Sequence, residues 1–104
     1  MNDLILILTT MPDDDRAVGL ARTLVEERLA ACVNVHAPMT STYRWQDALE
    51  SAPERQVVIK TTRGRRPALE ARLRALHPYE LPELVVIDAA GSEAYAKWVR
   101  DATP

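Results

Sequence analysis

The chain has 104 residues, of which 47% are hydrophobic and 27% charged, and its formal net charge is −2. This composition lies well away from the low-hydrophobicity, high-charge regime of disordered chains and fits one globular domain over residues 1–104, with a thin core because folding at this size removes only roughly 60 to 70% of the unfolded surface from water. Near-neutral charge excludes an overall basic field for nucleic acid or an anionic membrane, the lone Cys32 excludes an internal disulfide framework and points to a reducing, cytoplasmic setting, and three scattered glycines exclude a Gly-rich phosphate loop.

The chain opens on Met-Asn-Asp-Leu-Ile-Leu-Ile-Leu, with no positively charged leader and an apolar run too short to cross a bilayer, so neither a targeting nor a membrane segment is expected. Residues 4–8 are uninterruptedly apolar and end at Thr9-Thr10, which predicts a central strand covered on both faces. Pro12 followed by Asp13, Asp14 and Asp15 signals a helix start, with the acidic side chains capping orphan N–H groups at the positive end of the dipole. Ala17, Val18, Leu20, Ala21, Leu24, Val25 and Leu29 then recur at helical spacing, an amphipathic helix laid on a sheet. Arg28 falls within that apolar arc near the helix C-terminus, where its stem lies along the core.

A second extended stretch covers residues 31–36, breaks at Pro38 and resumes over 40–45, so this strand bends. Residues 46–53 read as a connection and 56–62 as the next strand, the two strands making a hairpin longer than a domain this small needs. Pro67 opens a short helix carrying Leu69, Leu73 and Leu76, which ends before Pro78. Residues 84–87 form a fourth strand, and Ser92 caps a closing helix whose Tyr95, Trp98 and Val99 share a face. The order β-α-β-β-α-β-α in about a hundred residues is the split pattern of an α+β, ferredoxin-like β-α-β-β-α-β sandwich with an extra C-terminal helix.

Several clusters could carry chemistry. His77, Tyr79, Glu80 and Glu83 lie in a segment stiffened by Pro78 and Pro82, which suits either a ligand site or a rigid turn whose histidine closes a helix. Cys32, Asn34 and His36 alternate along one strand face, as soft metal ligands or as a packed thiol with polar neighbours. Arg63, Arg65 and Arg66 crowd the start of a helix, where they would either hold an anionic effector, with Lys60 of the preceding strand, or form a solvated loop. Asp13 to Asp15 could hold a hard cation, although helix capping accounts for them. Tyr43 and Trp45 share one face of the hairpin and group with the aromatics of the last helix, Trp98 among them; in an acidic chain this fits an oligomer interface better than stacked bases. No nucleophile with its base, no carboxylate pair and no complete metal site can be named, so a binding protein and not an enzyme is expected.

Ala30-Ala31-Cys32-Val33-Asn34, Ser41-Thr42-Tyr43-Arg44-Trp45, Lys60-Thr61 and His77-Pro78-Tyr79-Glu80-Leu81-Pro82-Glu83, in this order and spacing, resemble the CutA family of divalent-cation tolerance proteins from the first strand to Trp98. The resemblance implies a ferredoxin-like subunit similar to PII-type signalling proteins, a cytoplasmic homotrimer assembled through the hairpin with Tyr43, Trp45 and Trp98 at the interface, and weak binding of copper or another divalent metal with no tightly bound cofactor. It places His77 and Cys32 at positions linked to metal, with Glu80 or Glu83 as further donors in a cleft between subunits. Some members of the family also have a cysteine at the end of the first strand and a histidine just before the His-Pro-Tyr block, positions held here by Thr9 and Leu76. Gln46-Asp47-Ala48 stands where the family often has a glycine and a lysine. The alternative is a PII-like module reading an anionic small molecule through Lys60, Arg63, Arg65 and Arg66.

Overall fold

A computed structural model describes residues 3–104; the reading of a leaderless start rests partly on residues 1 and 2, which lie outside the described residues. Strand β1 (Leu4–Pro12) is followed by helix α1 (Arg16–Glu26), strands β2 (Cys32–Val35), β3 (Met39–Trp45) and β4 (Ala48–Thr62), a single 3-10 turn (Arg63–Arg65), helix α2 (Arg66–Leu76), strand β5 (Val85–Asp88) and helix α3 (Glu93–Ala102). The sheet runs β2-β4-β1-β5, and β3 continues along the same edge of β4 as β2. Every pairing is antiparallel, which gives the ferredoxin-like arrangement with an added terminal helix.

The period of two along β1 decides which face meets the helices. Ile5 and Ile7, fully buried, pair with Thr61 and Ile59 and pack with Leu20 and Leu24 of α1 and Leu69 and Leu73 of α2. Leu4 points the other way, into a smaller cluster with Ala31 and Val99 that seats α3 over one end of the opposite face. Beyond α3 that face stays open: Leu6 and Leu8, in register with Ile87 and Val85 on one side and Lys60 and Val58 on the other, are only partly buried, and Val85 and Ile87 are exposed. The two-sided cover predicted for the central strand is therefore provided on one side only within the subunit.

Four sequence expectations are corrected. Residues 46–53 are not a connection: the turn is Gln46 and Asp47 alone, both left-handed at φ 49° and 65°, and β4 runs through Ala48–Thr62, the two-residue turn whose twist matches its strands. Helix α1 stops at Glu26 and does not reach Leu29, because Arg28 takes φ 59° and closes the helix with Arg28 N–H to the Val25 carbonyl and Leu29 N–H to the Leu24 carbonyl. Arg28 is thus an exposed cap residue, not a side chain laid on the core. At the start of α1 one aspartate of the three does the capping: Asp14 accepts from the Arg16 N–H at 3.0 Å and also binds its guanidinium, while Asp15 makes no side-chain cap.

Candidate functional site

The hairpin and the proline-stiffened segment after α2 together enclose a groove of about 860 Å³. Because side chains alternate along β3, Tyr43 and Trp45 project from one face and line it, and in the same register β4 adds Glu54 and Gln56. Residues 78–83 form the opposite wall, with Tyr79, Glu80 and Glu83 contributing.

His77 stands behind this wall and ties it to β1. The ring is buried; its Nε2–H donates to the Thr10 carbonyl at 2.8 Å, with the Thr9 hydroxyl 3.2 Å from the same nitrogen, and Nδ1 accepts from the Tyr79 N–H at 3.1 Å. Both nitrogens are thereby engaged and the tautomer follows from the partners. Burial lowers the His77 pKa below the usual histidine range, against the Thr10 carbonyl and the Glu54 carboxylate, which favour the charged ring. Tyr79 rests against the imidazole with ring centroids 4.8 Å apart and donates its hydroxyl to Glu54 Oε2 at 2.6 Å. Burial, then the Glu54 carboxylate, pushes the phenol pKa well upward, so Tyr79 stays a donor. Gln56 completes the network, donating to the Thr9 carbonyl at 2.7 Å and to Glu83 at 2.9 Å.

The predicted metal residues divide. His77, Glu80 and Glu83 fall at one end of the sheet, but Cys32 pairs with Lys60, whereas Thr9 and Thr10 pair with Val57 and Gln56. Three to four positions along β4, roughly 10 to 14 Å, separate Cys32 from His77's anchors. The expected partnership of the two is not made within a subunit: Cys32 lies on the open sheet face beside Asn34, with Sγ 4.0 Å from Asn34 Oδ1, and His77 has no free nitrogen. Among the described residues no three His, Cys, Asp or Glu side chains converge as a metal site.

The arginine cluster is largely neutralised from within. Arg63 pairs with Asp88 at 2.5 Å, Arg66 with Glu70 at 3.5 Å, and Lys60 lies 5.9 Å from the centroid of the Tyr95 ring; Arg65 alone keeps a buried Nε without a hydrogen-bond partner. The aromatic grouping also separates. Tyr43 and Trp45 line the groove, whereas Trp98 stacks on Tyr95 and borders a different hollow with Val25 and Arg28.

Sequence reasoning missed Glu54 and Gln56 because they sit at the boundary of the segment read as a connection. The signal was present: a seven-residue strand over Met39–Trp45 needs seven residues opposite it, which are 48–54.

A protein-family model described as CutA1 divalent ion tolerance protein matches residues 5–102. The divalent-cation tolerance protein CutA of Thermus thermophilus is 43% identical over 99 residues, 94% of this chain and 96% of its own. Human Protein CutA is 40% identical over 95 residues, 90% of this chain and 53% of that protein. Among solved structures, CutA from Xylella fastidiosa gives a TM-score of 0.94 at 42% identity over 98% of this chain and 99% of its own. A protein from Archaeoglobus fulgidus described as periplasmic divalent cation tolerance protein CutA gives 0.92 at 27% identity over 97% and 99%.

Proposed function

The chain belongs to the CutA1 divalent ion tolerance family, and from that membership we propose that it acts as a homotrimer that binds divalent metal ions, copper among them, and contributes to tolerance of those ions without catalysing a reaction. The observation that carries the assembly is the uncovered apolar sheet face. Leu6, Leu8, Val58, Val85 and Ile87 form a contiguous half-exposed patch where the sequence calls for a strand buried on both sides. The hairpin adds to this. Its outer half is exposed on both arms, and the radius of gyration of 14.3 Å exceeds the about 13 Å of a compact chain this long. An isolated two-stranded ribbon is marginal in water, so neighbouring copies are the natural cover.

In this reading copper is cargo held weakly. Among the described residues one subunit does not gather the three or four donors of a tight site, so the metal draws on more than one copy. Cys32 on the open face and Glu80 and Glu83 on the groove wall are the donors, and His77 supports them. We place the protein in the cytoplasm on the strength of its unpaired thiol; recovery from a periplasmic fraction would overturn that placement.

Light scattering on a size-exclusion column tests the assembly: three times the 11.6 kDa chain mass is expected, and a monomer would sink the reading. Calorimetric titration with Cu(II) tests the cargo. Weaker binding is expected in Cys32→Ala and in the Glu80→Gln, Glu83→Gln pair, and unchanged affinity in both would remove these residues as donors.

A further inference from the structure

We draw no further inference here: the strongest candidate, the arginine cluster at the start of α2, where Arg65 keeps a buried Nε without a hydrogen-bond partner among the described residues, is a helix N-terminus whose flanking Arg63 and Arg66 are already paired with Asp88 and Glu70, and with the Arg65 residue itself part-exposed nothing in the structure points to an anion held there.

Discussion

Tyr79→Phe removes one oxygen atom and tests how dry the floor of the groove is. The hydroxyl is the donor that holds Glu54 Oε2, at 2.6 Å, on a residue 7% exposed as a whole. The substitution keeps the ring that packs on His77 at 4.8 Å, so no cavity term enters. What is lost is a hydrogen bond to a charged group in a partly desolvated place, about 1.5 to 3 kcal/mol. For a chain of this length 1 kcal/mol moves the midpoint by about 4 to 8 °C, so a fall of about 6 to 24 °C is expected. Thermal unfolding followed by far-UV circular dichroism reads it, at one fixed protomer concentration because assembly makes the midpoint concentration-dependent. Repeating the change in a Glu54→Gln background should cost less, about 1 kcal/mol, since the acceptor is then neutral. A fall below about 2 °C in the wild-type background would refute the reasoning, because it would mean that water entering from the groove already solvates Glu54.

Further outcomes follow from the same geometry. Burial holds the folded His77 below its ordinary 6.5, so as pH falls through that window the unfolded chain takes up the extra proton and stability drops, while the full contribution is present above about pH 7; His77→Gln should flatten this acid slope in pH-dependent denaturation, and an unchanged slope would assign it elsewhere. Arg28→Gly should raise stability by about 0.5 to 1 kcal/mol, because φ 59° costs a side-chain-bearing residue about 1 to 2 kcal/mol while glycine gives back part of that through its freer unfolded chain; a lower midpoint would show that the Arg28 side chain stabilises more than its backbone costs. Val58→Asp puts a charge at the centre of the open sheet face, in register between Leu8 and Asn34, and should shift the light-scattering mass toward the monomer; an unchanged mass would remove this face from the assembly contact.

Local signals in the sequence were read well where neighbours along the chain decide the outcome. Ile5 and Ile7 alternate with Leu4, Leu6 and Leu8 as a strand demands, Pro38 sits at the bend between β2 and β3, and Ser92 accepts the Tyr95 N–H at 3.2 Å to open α3. Where the deciding contact is distant, the pattern was silent or misleading. Leu29 continues the apolar period of α1, yet the helix ends before it because Leu29 and Ala30 turn back to the Leu24 carbonyl and enter the core on their own. Tyr43, Trp45 and Trp98 are all aromatic and partly exposed, and nothing in their spacing shows that two line the groove while the third stacks on Tyr95. His77 and Tyr79 stood out through the prolines around them. Glu54 did not, because its burial is made by Tyr79, 25 residues further on, and a glutamate in an exposed-looking stretch carries no mark of that.

The placement of Thr9 shows how the block at His77 is tied to the first strand. Thr9 is fully buried, and its hydroxyl lies 3.2 Å from His77 Nε2. Thr9 therefore sets a hydroxyl against the imidazole, and a neutral hydroxyl is a poor ligand for a soft metal. Leu76, the residue before His77, is 37% exposed and adds no donor. The imidazole, short of partners for coordination, spends both nitrogens on the backbone: one fastens it to the end of β1, the other orders the Tyr79 amide. Tyr79 in turn holds the carboxylate of Glu54. The same stiff segment thereby fixes one wall of a groove whose floor is formed by Glu54 and Gln56 of β4.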